Sequence, residues 1–203
     1  MKTLTYCLLA TLFFACNNPT ESSNDQIDTV DEAKQFQIKD ESLFNATTLR
    51  YAGKLLSQRV WQDANGDNAL LFTRTDTALF AYHYLLGEND ARLMSTVSDG
   101  IEECDADLFL EFMAEAVTVT DLDEDNIGEF SFAYEMGCIS DLSPLDMTVY
   151  MIEGNDQYTM DGYAALKPGD MVLEESSKDK ISFAGAPASF LMHAHQVWNK
   201  AAN

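Results

Sequence analysis

The dipeptide Asn65-Gly66 sits between two β-prone runs, residues 59–63 and 69–75, and it limits what this chain can fold into more than any other stretch. Asn and Gly accept the left-handed backbone that a tight hairpin turn demands, so the pair predicts two antiparallel strands joined head to tail. The rhythm then repeats. Residues 79–85 (Leu-Phe-Ala-Tyr-His-Tyr-Leu) stop at Gly87-Glu88-Asn89-Asp90, and residues 117–120 and 130–134 flank an acidic loop. Residues 147–152 run through Glu153-Gly154-Asn155-Asp156 into residues 157–160. Turns this frequent predict a mainly β fold of the α+β kind, an antiparallel β-meander. The chain closes with a predicted amphipathic helix over 187–201, because Phe190, Leu191, Ala194, Val197 and Trp198 recur at helical spacing and Pro187 suits a first turn. Residues 108–116 are too short a run for periodicity to choose between helix and strand.

The N-terminus reads differently. Lys2 precedes an apolar stretch from Leu4 to Ala15 that as a helix would span about 18 Å, short of the roughly 30 Å hydrocarbon core. That is the pattern of a signal peptide, residues 1–15, not of a membrane span. Phe13-Phe14-Ala15-Cys16 resembles the lipobox of bacterial lipoproteins, with Phe13 where that pattern prefers Leu. The resemblance implies a diacylated Cys16 as the mature first residue, and two or more acyl chains hold a protein to a membrane essentially permanently. Asn17 stands where an Asp would signal inner-membrane retention, so the expected location is the cell envelope, at the outer membrane. The alternative is a secreted protein cut near Ala15 with Cys16 a plain thiol. Residues 16–39 are polar and acidic without a strong period and predict a flexible tether. A single β-rich domain is expected over 40–203.

Two cysteines then remain, Cys104 and Cys138. In an oxidising compartment they predict one disulfide. Two thiols alone do not make a structural zinc site, which takes four ligands.

Charge narrows the partners. Twelve Lys+Arg against 34 Asp+Glu give a net charge of -22 over 203 residues. Such a chain repels nucleic acid and anionic lipid, and it attracts cations or basic protein surfaces. Solubility alone would also account for the excess.

The sharpest local signal is Asp121-Leu-Asp123-Glu-Asp125-Asn-Ile127-Gly-Glu129. Oxygen-bearing side chains fall at loop positions 1, 3, 5 and 9, and Ile127 would offer its backbone carbonyl at position 7. Calcium takes six to eight oxygens from such a tightly wound loop, so calcium is the expected cofactor. Asn126 replaces the EF-hand glycine and Phe132 stands at position 12 in place of the bidentate glutamate, so the loop is no EF-hand. It resembles the strand–loop–strand calcium loops of FG-GAP and dockerin-like repeats. A solvated acidic turn is the alternative. A fainter echo, Asp63-Ala-Asn65-Gly-Asp67-Asn68, reads as a simple hairpin turn.

No catalytic residues are assigned. His193 and His195 lie two apart, on different sides of a helix, whereas helical zinc pairs are spaced i, i+4. His83 lies within an apolar strand, between two tyrosines. There is no nucleophile elbow, phosphate-cradling loop or basic patch.

Three blocks carry a wider resemblance. They are Trp61-x-Asp63-x-x-Gly66-x-Asn68 with Leu71-Phe72-Thr73; Cys104-x-x-Asp107 with Thr120-Asp121-Leu122-Asp123-x-Asp125-x-Ile127; and Tyr134-x-x-x-Cys138, Asp141-x-Ser143-Pro144, Met151-x-Glu153-Gly154 and Tyr158. In order and spacing they resemble a Gram-negative bacterial family loosely catalogued as surface polysaccharide biosynthesis proteins. This chain departs from that pattern at Asn126, Ile139-Ser140 and Asp161-Gly162. The resemblance implies a link to envelope glycans without naming a reaction. Two functional expectations stand, the first resting on the tether, the charge and the lack of catalytic geometry, the second mainly on the resemblance. One is a lipid-anchored envelope protein whose acidic domain binds or scaffolds glycan or another envelope protein. The other is an accessory protein or enzyme of surface-polysaccharide assembly, with carboxylates such as Asp141 and Asp146 as acid–base candidates, the alternative being plain loop and cap residues.

Overall fold

The computed structural model describes residues 34–140, 142–169 and 171–202. Successive side chains of each strand point to opposite faces, and most strands fold back onto the one before through a hairpin. The first sheet is a meander of β1 (Gln37–Ile38), β2 (Lys54–Asp63), β3 (Gly66–Arg74), β4 (Ala78–Leu86) and β5 (Ala91–Gly100), in that spatial order. The second holds β6 (Asp107–Phe112), β7 (Thr118–Thr120), β8 (Glu129–Ile139), β9 (Asp146–Glu153), β10 (Asp156–Tyr163) and β11 (Ser177–Ser182), in the order β11-β10-β9-β8-β6. β7 pairs with the N-terminal part of β8, while β6 pairs with its C-terminal part. The expected meander is thus two meanders, and every pairing is antiparallel.

The two sheets face each other over a core rich in aromatic rings. Trp61, Leu70, Phe72, Leu79, Ala81 and Val97 of the first sheet meet Leu110, Phe130, Phe132, Tyr134 and Ile152 of the second. Phe72 lies edge-on to Phe132 at 5.3 Å. Each fully buried phenylalanine contributes roughly 1.5–3 kcal/mol. The outer faces are covered as well. Met147, Val149, Met151 and Met160 pack under α1 (Ala188–Ala201) through Phe190, Ala194, Val197 and Trp198. On the other side Leu71, Tyr82 and Tyr84 pack beneath Ala46, Phe44 and Leu49. Strand β3 is therefore buried on both faces, which is why Ala69 to Phe72 read as a continuous apolar run.

Several boundaries differ from the sequence expectation. Asp63 pairs with Gly66, so the turn residues are Ala64 and Asn65, one position earlier than Asn65-Gly66. Asp63 Oδ1 accepts the Asn65 N–H at 2.9 Å, an Asx turn that competes successfully with the Asn-Gly turn. The tether does not extend to Lys39: Gln37–Ile38 pairs with Trp61 and Gln62, and Phe36 packs against the inter-sheet core. The ambiguous 108–116 stretch divides into β6 and a 3-10 turn at Ala114–Ala116. β11 (Ser-Lys-Asp-Lys-Ile-Ser) is polar because it is a sheet edge, where charges block pairing with other chains.

A disulfide joins Cys104 to Cys138, with Cα atoms 5.7 Å apart. It ties the loop before β6 to the end of β8. No helix among the described residues is long and apolar enough to cross a membrane. The signal peptide, Cys16, most of the tether and Asp141 lie outside the described residues.

Candidate functional site

The acidic loop runs from β7 to β8 at one end of the sandwich. It is tightly wound: Glu124 and Asn126 both take left-handed conformations, at φ 64° and 66°. Asn tolerates that region well, whereas Glu adopts it at a cost of about 1 kcal/mol. Two side-chain bonds hold the curl. Asp121 Oδ2 accepts the Asn126 N–H at 3.2 Å, and Asp125 Oδ1 accepts the Ile127 N–H at 2.7 Å.

Glu129, the first residue of β8, is wholly buried. Its carboxylate accepts the Leu122 N–H at 2.9 Å and the Thr120 hydroxyl at 3.1 Å. Burial pushes its acid up to about 7 against these hydrogen bonds, with Asp123 adding repulsion.

Carboxylate oxygens of Asp121, Asp123 and Glu129 lie within 4.8 Å of one another, as do those of Asp123, Asp125 and Glu153. Oxygens that share one calcium ion at 2.3–2.6 Å are at most ~5 Å apart, so either set has the right size. Asp123 belongs to both. Of the residues singled out in the sequence, the loop thus gathers Asp121, Asp123, Asp125 and Glu129. Ile127 is half-buried beside Gly128 at the edge of a neighbouring cavity.

Glu153 is the member that sequence spacing missed. It ends β9, and β9 pairs with β8 through Phe130 and Ile152. One step beyond that pair, the register brings Glu129 and Glu153 side by side. The signal in the sequence was Glu153-Gly154-Asn155-Asp156, read as a turn; its carboxylate belongs to the loop only once the strands pair. Burial pushes Glu153 up to about 7, helped by Asp123, Asp125, Glu129 and Asp156. Oε1 of Glu153 and Oδ1 of Asp121 are buried without a hydrogen-bond partner.

The loop is fastened to the first sheet. Ala64 donates its N–H to the Asn126 carbonyl at 2.7 Å. Asp63 Oδ2 accepts both the Trp61 indole N–H at 3.0 Å and the Gly128 N–H at 3.2 Å. The fainter acidic motif is used up by protein partners. Asp63 holds this junction, Asp67 pairs with Lys39, and Asn68 faces His83.

The remaining candidates lie elsewhere. Asp146 lies largely exposed at the start of β9, where partial desolvation of its carboxyl and the nearby Asp99 raise its acid. His193 Nε2 lies 2.8 Å from the Thr118 hydroxyl. His83, for which the sequence allows a packed or a surface position, is packed: it is buried and stacked 5.2 Å from Trp61. Compared with known proteins, the chain matches no family model, no curated protein and no solved structure.

Proposed function

We propose that this chain is a lipid-anchored envelope protein, held to the outer membrane through an acylated Cys16, whose acidic β sandwich is a binding or scaffolding module braced by calcium. The observation that carries the calcium assignment is the convergence of five carboxylates on one loop, two of them with buried oxygens that have no donor. Five adjacent carboxylates repel one another as they ionise, and a divalent cation converts that repulsion into cohesion. The anchor rests on the leader and Phe13-Phe14-Ala15-Cys16. The binding role rests on two hairpin turns and a braced loop grouped at one end of a sandwich, where such folds carry recognition loops. The net charge of -22 turns the module away from nucleic acid.

Calorimetric titration of the full-length protein with calcium chloride tests the brace, together with melting in calcium and in EDTA. Binding is expected to raise the melting temperature, and Asp123→Ala to remove the rise. Identical melting curves in calcium and EDTA would overturn it. Mass spectrometry of the native N-terminus tests the anchor: an intact Met1 would overturn that part.

A further inference from the structure

A cavity of about 400 Å³ opens between the two sheets beside the acidic loop. His83 lines its floor. The residue is only 6% exposed, and its Nδ1 is buried without a hydrogen-bond partner. The other ring nitrogen, Nε2, is 2.9 Å from Asn68 Oδ1. Asn68 donates its amide N–H to the Gly66 carbonyl at 3.0 Å, which leaves Oδ1 as its accepting end. Nε2 therefore carries the proton and Nδ1 is a bare acceptor. Burial pushes the imidazole down to about 4, so the ring stays neutral at physiological pH. A buried acceptor without a donor calls for a partner.

The wall of the cavity is built by an irregularity. His83 pairs with Ser95 but Tyr84 pairs with Leu93, so Met94 is an extra residue in β5. That insertion inverts the alternation. Arg92 sits opposite Leu85 and lines the cavity, while Leu93 is turned outward and is 49% exposed. Without the bulge, leucine would face in and arginine out. Arg92 forms no ion pair among the described residues. Asn65 and Asn155, from one hairpin turn of each sheet, complete the rim.

We infer that this cavity binds a small neutral polyhydroxylated molecule, a sugar or polyol, with one hydroxyl donating to His83 Nδ1 and others meeting Arg92, Asn65 and Asn155. Hydroxyls both give and accept hydrogen bonds, which is what a bare acceptor, a guanidinium and two amides require. Leu85, Met94 and Ile127 offer apolar walls to the carbon skeleton. Asp63 beneath and the acidic loop alongside oppose an anion. The volume lies within the range of small-molecule sites. The inference deepens the binding-module reading and rests on it.

Full-length protein labelled with ¹⁵N-histidine, in calcium, is titrated with glucose, N-acetylglucosamine, glycerol and glucuronate at millimolar concentrations. A neutral probe is expected to shift the His83 Nδ1 resonance saturably. Arg92→Leu, at the exposed rim, should weaken that response about tenfold, the worth of one hydrogen bond to a charged group. His83→Phe keeps a ring on Trp61 and should abolish binding. A response to glucuronate alone overturns the inference. So does an Nδ1 resonance that no probe moves, as a trapped water would give, or a sugar response indifferent to Arg92→Leu. Calcium binding is read on the same sample, so a calcium response with no sugar response sinks the cavity alone.

Discussion

Asp63 and Gly128 are 65 positions apart in the chain, and the Gly128 N–H donates to Asp63 Oδ2 at 3.2 Å. This bond joins the first hairpin of one sheet to the acidic loop of the other. Because the same oxygen accepts the Trp61 indole N–H, Asp63→Ala strands two buried donors. Each orphan costs roughly 1–3 kcal/mol, so urea unfolding should show a loss of about 3 kcal/mol, accompanied by weaker calcium binding. An unchanged urea midpoint would contradict the role of Asp63 as the junction.

Gly128 admits no larger residue. A Cβ built there would lie 2.5 Å from Trp61 Nε1 and 2.8 Å from its Cδ1, and Trp61 is fully buried. Gly128→Ala should cost about 1–3 kcal/mol through overpacking and shift the tryptophan fluorescence. Melting like that of the wild type would show that the ring can move aside.

Glu153→Gln separates the two uses of that carboxylate. The folded pKa, about 7, lies above the ordinary 4.5. The glutamate's contribution is thus favourable below 4.5 and is lost as the pH rises through about 7. In EDTA at pH 8 the variant should be more stable than the wild type by about 1 kcal/mol, because partial exposure screens the repulsion. The advantage should vanish near pH 4. In calcium the order should reverse, since the amide is a poorer ligand than the carboxylate. Melting scans in both buffers decide the matter, and a variant less stable than the wild type in EDTA at pH 8 would contradict it.

Reducing the Cys104–Cys138 bond should destabilise the protein. The bond closes a 34-residue separation, worth about 4 kcal/mol on the chain-entropy model. The double variant Cys104→Ser, Cys138→Ser should melt lower and gain nothing further from dithiothreitol. Wild-type melting that ignores the reductant would argue against the bond.

Trp198 is the anchor of α1. It is wholly buried, its indole N–H donates to Ser176 Oγ at 3.3 Å, and Lys178 lies 5.0 Å over its ring. Trp198→Ala should cost about 3–5 kcal/mol and loosen the helix before the sheets. Circular dichroism at 222 nm against an unfolding series would reveal it, and loss of helix and sheet signals at one midpoint would show that they unfold together.

The strands with clean alternation and the terminal helix were legible in the sequence, because each is specified by its own side chains. β8 and β9 announce themselves through Phe130, Phe132 and Tyr134 and through Met147, Val149 and Met151, and α1 through Phe190, Ala194, Val197 and Trp198. β5 and β11 were not legible. One is bulged and the other is a charged edge, so neither carries a periodic apolar face.

For the site, the sequence by itself determined the loop Asp121 to Glu129, since those carboxylates are neighbours along the chain and their spacing is local. Tertiary structure alone decided that Glu153 joins them, that Asp63 fastens the loop, and that Arg92 faces inward. Each of these depends on strand register or on the meeting of two sheets. Register is set by the summed packing of whole strands, and the pattern around any single residue does not contain it.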